Sequence, residues 1–94
     1  MEVTVRFFTV LRELTGYKEI KVELEEKASL QELLSKLSAR FGEKFTEYVF
    51  DEKGNVKSHL QLLINGENSK SLKGLKSELR EGYVVAILPP VGGG

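Results

Sequence analysis

The chain has 94 residues, of which 40% are hydrophobic, and this is enough for one compact domain but too little for two. Lysine plus arginine equals aspartate plus glutamate at 14 each, so no net charge draws the chain toward nucleic acid or an anionic membrane. No apolar run approaches membrane-spanning length and the N-terminal residues do not resemble a signal peptide, so we expect one cytoplasmic domain over residues 1–94.

Cysteine is absent from the sequence, and His59 is its single histidine. Disulfides, thiolate nucleophiles and cysteine metal sites are therefore excluded, and any sulfur chemistry must use sulfur from another molecule. A metal or catalytic site needs several converging side chains. We therefore expect His59 to be a polar residue at a strand edge, and the chain to have no metal site and no catalytic residue of its own.

The first 24 residues predict an antiparallel pair of strands joined by a short helical turn. Apolar residues alternate with other residues over 3–7 and again over 20–24, the period of strands with one buried face. Between them, Thr9 is expected to cap a helical turn that Gly16 ends in the left-handed conformation.

The main helix is predicted over Leu30 to Phe41, where leucines recur at helical spacing. Ser29 and Glu32 form a capping-box pattern at its start, and Gly42 is a stop signal at its end. The following residues, 43–58, fit either a helix or a hairpin closed at Lys53-Gly54-Asn55, and the sequence leaves this choice open.

The C-terminal part predicts two more strands, at residues 60–64 and 83–88, separated by an Asn65-Gly66 turn and an irregular crossover. The last strand is apolar at every position from Val84 to Leu88, as expected for a strand covered on both faces. The element order favours an α+β domain with a mixed sheet of four or five strands around one main helix. We expect the first and last strands to lie side by side in its middle.

The chain ends in a tail, residues 89–94, that follows this last strand directly. Pro89 and Pro90 end the strand and favour an extended exit, while glycines without side chains can enter a channel too narrow for other residues. Over six residues such a tail reaches about 20 Å. It could bring a terminal carboxylate into another protein's active site, although three glycines at a terminus can also be a frayed end.

Four segments of the sequence carry a resemblance to a known family. They are Val5-Arg6-Phe7-Phe8, Leu11-Arg12-Glu13-Leu14-Thr15-Gly16, Asn65-Gly66 and Val85-Ala86-Ile87-Leu88-Pro89-Pro90-Val91-Gly92-Gly93-Gly94. Together they resemble the small subunit of molybdopterin synthase, a ubiquitin-like sulfur-carrier family with the β-grasp fold. The resemblance extends over nearly the whole chain and is strongest at its two ends.

The resemblance implies that Gly94 is adenylated by a ubiquitin-activating-type enzyme, which uses ATP and Mg²⁺, and is converted to a thiocarboxylate with sulfur from a donor protein. A flexible tail of Pro89, Pro90, Val91, Gly92 and Gly93 would then enter the large subunit of molybdopterin synthase. There the sulfur passes to a pterin precursor and builds the dithiolene that binds molybdenum or tungsten. On this reading the chain binds no cofactor itself, and its partner-facing apolar residues are Phe7, Leu63 and Leu88.

Three other functions fit the same sequence. Related carriers serve transfer RNA thiolation, and some archaeal relatives are attached to lysines as protein modifiers; the tail would suit either use. A passive interaction domain is the third class, and it predicts that removal of Gly94 leaves function intact.

Overall fold

The computed structural model describes residues 1–89, and within that range the chain forms five strands and three α-helices. In chain order these elements are β1 (Glu2–Phe7), α1 (Val10–Thr15), β2 (Glu19–Glu23), α2 (Leu30–Phe41), α3 (Glu43–Val49), β3 (Gln61–Ile64), β4 (Glu67–Asn68) and β5 (Val84–Leu88). Two 3-10 turns, Ser69–Ser71 and Gly74–Lys76, lie in the crossover from β4 to β5.

The strands form one mixed sheet in the order β2-β1-β5-β3-β4. β1 and β5 run parallel in the middle, with Val5 opposite Val85 and Phe7 opposite Ile87. The β1–β2, β5–β3 and β3–β4 pairs are antiparallel. The predicted mixed sheet, the N-terminal hairpin and the central pairing of the first and last strands are therefore confirmed.

Helix α2 has the predicted bounds and provides much of the core. The Ser29 hydroxyl accepts a hydrogen bond from the backbone N–H of Glu32 at 3.2 Å, and Gly42 ends the helix with a φ of 83°. The buried stripe of the helix is fully apolar and consists of Leu30, Leu33, Leu34 and Leu37. At about 1.5–3 kcal/mol for each buried leucine, this stripe holds the helix against one face of the sheet. We call this side the core face.

The segment that the sequence left open contains both of the alternatives. Phe45 and Val49 are fully buried on α3, and directly after this helix Phe50 forms an antiparallel bridge with Val56. The Asp51 carboxylate closes the intervening turn by accepting hydrogen bonds from the backbone N–H groups of Lys53 and Asn55. A helix and a hairpin-like turn thus follow one another within residues 43–58.

The connection from β1 to α1 differs from the prediction. Gly16 ends α1 in the left-handed conformation as expected, but the Thr9 side chain makes no capping hydrogen bond. Thr9 has φ 47° and ψ −115°, whereas a capping side chain requires an extended backbone to reach the helical N–H groups. Its backbone carbonyl accepts from the N–H groups of Arg12 and Glu13 instead.

The turn after β3 has the predicted conformation, with positive φ angles of 52° at Asn65 and 84° at Gly66. Asn65 also fixes the start of β5, because its side-chain oxygen accepts a hydrogen bond from the Val84 N–H at 2.8 Å. Within residues 1–89, each helix is either too short or too polar to cross a bilayer.

Candidate functional site at the base of the glycine tail

The tail starts from the best-anchored strand of the sheet. β5 is paired on both sides, and its last residue, Leu88, lies opposite Gln61 of β3. Pro89 follows directly and is half-buried. The sequence-predicted site residues Pro90, Val91, Gly92, Gly93 and Gly94 lie outside the described residues. The described structure therefore fixes where the tail begins and which side chains surround its base.

An apolar surface lies beside this base, on the sheet face opposite α2. Leu63 pairs with Ala86 across β3 and β5, and cross-strand partners lie on the same side of a sheet. Phe8 follows β1 next to Leu88 and is half-buried like the others. We call this surface the apolar face, and its members are Phe8, Leu63, Val84, Ala86 and Leu88.

The structure corrects one of the predicted partner-facing residues. Phe7 is 0% exposed and lies in the core, with its ring centroid 5.7 Å from that of Phe41 and 6.5 Å from that of Phe45. Successive side chains of a strand point to opposite faces, so the neighbouring Phe8 lies on the side that Phe7 does not. The other two candidates, Leu63 and Leu88, are half-buried and lie on the apolar face, and their contact with a partner stays a prediction.

The expectation that β5 is covered on both faces is also wrong. Val85 and Ile87 are 0% exposed against the core, but Val84, Ala86 and Leu88 are only half-buried, and no described element packs over them. Their partial burial comes from neighbouring side chains of β1 and β3. A half-buried apolar stripe on a central strand is a surface that a partner protein can cover.

Charged side chains occupy the other half of the same sheet face. Arg6 Nε lies 3.5 Å from Glu19 Oε1, and Lys21 Nζ lies 4.0 Å from Glu2 Oε1, along β1 and β2. These groups are largely exposed, so the pairs add little to stability. They give the apolar face a polar border, which is the usual arrangement at a protein–protein contact.

Phe8, Val84 and Ala86 also belong to this surface, although they were not predicted from the sequence. Val84 and Ala86 share the two-residue period of Leu88, and that period is the signal that would have found them. His59 is exposed just before β3. Within residues 1–89, no group of three histidine, cysteine or carboxylate side chains is arranged to hold a metal ion. The expectations of no metal site and no catalytic residue stay predictions.

The sheet order, the parallel central pair and the helix across one face define the class: this is a ubiquitin-like β-grasp fold. The crystal structure of SAMP1 from Haloferax volcanii has the same fold, with a TM-score of 0.86 over 100% of both chains and 25% sequence identity. The chain belongs to the ThiS family, whose model matches residues 5–94.

Two further relatives are similar to the chain over nearly its whole length. Small archaeal modifier protein 3 of Haloferax volcanii is 34% identical over 94 residues, the full length of both chains. The structure of a putative molybdopterin converting factor, subunit 1, from Pyrococcus furiosus is 33% identical, with a TM-score of 0.77 over 96% of this chain and 98% of the other. The chain is thus a ubiquitin-like member of the small archaeal modifier and sulfur-carrier group, which confirms the resemblance found in its sequence.

Proposed function

We propose that this protein is a sulfur carrier that acts as the small subunit of molybdopterin synthase. The observation that carries the proposal is the family match, which continues through Gly93 and Gly94, together with the emergence of the tail from the central strand β5. The similar protein from Pyrococcus furiosus, named as a molybdopterin converting factor subunit, supports this choice of recipient.

The chemistry takes place at the carboxylate of Gly94. A carboxylate is a poor electrophile, so an activating enzyme first joins it to the α-phosphate of ATP and releases pyrophosphate, with Mg²⁺ balancing the phosphate charge. A sulfide-level nucleophile from a sulfur donor protein then attacks the carbonyl carbon, and AMP leaves. The product is a thiocarboxylate whose sulfur can pass to a pterin precursor. Because the cycle consumes ATP, we place it in the cytoplasm.

The described residues supply the docking part of this cycle. Leu63, Leu88 and the rest of the apolar face lie at the base of the tail, where a partner covering them holds the tail in a fixed direction. Pro89, Pro90 and Val91 then lead to Gly92 and Gly93, which fit a narrow channel because they have no side chains. Both the activating enzyme and the large subunit would use this surface, so they would bind one at a time.

A reconstituted transfer reaction tests the recipient. The chain is converted to the thiocarboxylate by its activating enzyme with ATP and a sulfide source, then mixed with the large subunit and the cyclic pterin precursor. We expect dithiolene formation that is lost when Gly94 is deleted. A thiocarboxylated chain that leaves the precursor unconverted by an active large subunit contradicts the molybdopterin assignment, and transfer of its sulfur to transfer RNA instead would identify the thiolation alternative.

A second candidate function is conjugation to lysines as a protein modifier. It is favoured by the 34% identity over the full chain to a protein named as an archaeal modifier. Here a lysine amine, instead of sulfur, attacks the carbonyl carbon of the same adenylate, AMP leaves and an isopeptide bond forms. Proteolysis of cellular proteins should then leave glycine remnants on their lysines. Their absence in cells that contain the thiocarboxylate form would contradict the modifier function.

A further inference from the structure

Arg12, on helix α1, lies close to the base of the tail and is not yet explained by the proposed function. β1 and β5 run parallel and end together, with Phe7 opposite Ile87. The chain that continues from β1 into α1 therefore passes beside Leu88 and Pro89. Only Phe8 and Thr9 connect β1 to α1, so α1 begins close to the end of β1 and therefore near the end of β5, to which β1 is paired.

Two contacts hold the Arg12 guanidinium in one place. Its Nε donates a hydrogen bond to the backbone carbonyl of Phe7 at 3.0 Å, and its Cζ lies 5.4 Å from the centroid of the Phe8 ring. The positive φ of Thr9 produces the sharp reversal that returns α1 over these residues. Positive φ is unusual for a β-branched residue and is found mainly where the surrounding structure enforces it.

The Nη atoms of this guanidinium make no hydrogen bond or ion pair within the described residues. Arginine has N–H donors on both Nη atoms besides the one on Nε. Arg12 is exposed, and it takes part in none of the ion pairs found within residues 1–89. Arg6 differs because it already has a carboxylate partner, Glu19. Arg12 is thus a fixed cation at the border of the apolar face, with its Nη donors available.

We propose that Arg12 is a recognition residue for the enzyme that activates Gly94, and that its Nη groups bind a carboxylate on that enzyme. Charge complementarity determines the partner's chemistry: an acidic side chain beside an apolar surface that covers Phe8 and Leu88. A preformed guanidinium loses little freedom on binding and matches a carboxylate with two parallel hydrogen bonds. The inference rests on the proposed function, because it requires the tail to be activated at all.

Activation is the step at which such a contact has most effect. The sulfur-carrier and modifier functions both begin with the same adenylate of the tail, so the activating enzyme must bind the unmodified chain in either case. A charged contact at the tail base fixes the direction of the tail without adding bulk to the glycines. Arg12 therefore acts on binding of the chain and not on the reacting atoms, and its removal should change KM more than kcat.

ATP–pyrophosphate exchange catalysed by the activating enzyme from the same cells, at varied concentrations of this chain, measures that effect. We expect Arg12→Gln to raise KM for the chain by about 10- to 100-fold, the range for a lost hydrogen-bonded charge contact, with kcat nearly unchanged. Glutamine keeps an amide donor near the Phe7 carbonyl, which protects the fold. Arg12→Lys should recover part of the loss, since it restores the charge without the planar pair of donors.

Arg40→Ala is the matched control, because Arg40 also stacks on aromatic rings, those of Tyr17 and Phe41, but belongs to α2 on the core side of the sheet. Its KM should stay within about two-fold of wild type. Raising the salt concentration should raise KM for wild type more than for Arg12→Gln, a response that a purely structural role would not give.

Two results would overturn the inference in different ways. If wild type supports exchange and Arg12→Gln has an unchanged KM, or loses no more than Arg40→Ala, then Arg12 is a structural contact and the recognition role is wrong. If wild type supports no exchange with an enzyme that is active on another carrier, the proposed function fails and this inference fails with it.

Discussion

Alanine substitutions at the adjacent residues Phe7 and Phe8 test the assignment of the two sheet faces. Phe7→Ala should mainly lower the stability of the fold, whereas Phe8→Ala should mainly weaken binding of the activating enzyme. Phe7 is fully buried and makes edge-to-face contacts with Phe41 and Phe45. Removing such a ring costs about 3–5 kcal/mol, since a cavity is left in the core. A domain of this size is stable by about 5–14 kcal/mol, so Phe7→Ala removes a large part of the total.

Phe8→Ala should be much milder. Phe8 is half-buried on the apolar face, and its described partner is the Arg12 guanidinium, a contact worth about 0.5–1 kcal/mol. With the partial loss of apolar burial, we expect a total cost of about 1.5 kcal/mol. At about 4–8 °C of melting temperature per kcal/mol, Phe7→Ala should melt at least about 10 °C below wild type, and well below Phe8→Ala.

Thermal and urea unfolding followed by circular dichroism measure these differences, and exchange kinetics with the activating enzyme measure binding. Phe8→Ala should bind the enzyme weakly while staying folded, whereas the folded fraction of Phe7→Ala should bind normally. Equal destabilisation by the two variants, or a binding defect confined to Phe7→Ala, would refute the assignment of Phe7 to the core and Phe8 to the apolar face.

Three further variants test separate parts of the structure. Ser29→Ala removes the cap of α2 and should lower the free energy of unfolding by about 1 kcal/mol in urea; an unchanged midpoint would mean that the capping bond does not stabilise the helix. Thr9→Gly should raise the free energy of unfolding by about 1 kcal/mol by relieving the positive φ, and a loss of stability would show that no strain is stored there. Leu63→Asp should fold normally but should no longer be captured by the activating enzyme in a pull-down. Lys21→Asp, on the charged half of the sheet face, is the control and should still be captured. If the enzyme captures both variants equally well, the apolar face is not the contact.

The sequence predicted the elements whose signals are local. The bounds of α2 follow from leucine spacing, the serine cap and Gly42, and each of these acts within a few residues. The Asn65-Gly66 turn is equally local, because both residues tolerate positive φ. The central position of β5 was also predictable, since an apolar run leading into the tail suits a strand with neighbours on both sides.

Two predictions about the faces of the sheet were wrong, one because of the family resemblance and one because of the apolar run in β5. In the pair Phe7 and Phe8, alternation from Val3 and Val5 places Phe7 in the core, but the resemblance to the sulfur carriers led to its assignment as partner-facing. An error of one residue exchanges the two faces of a strand. The apolar run of β5 could not show whether a second layer covers the sheet, because half-burial by neighbouring strands favours the same residues.

Tertiary constraints explain the remaining differences. Thr9 has the right side chain for a cap, but the chain must reverse sharply there to place Leu11 in the core, and this imposes a backbone unsuited to capping. In residues 43–58 the helical and hairpin patterns overlap at Val49 and Phe50, so neither could be preferred. The structure shows that the helix ends where the bridge begins.

Intact-mass analysis of the protein recovered from its own cells tests whether Gly94 carries sulfur. We expect a population that is heavier by the mass difference between sulfur and oxygen, with fragmentation placing the change at Gly94. A chain that lacks this residue should have no such population. Recovery of the unmodified carboxylate alone, from cells with an active adenylating enzyme and sulfur donor, would contradict it.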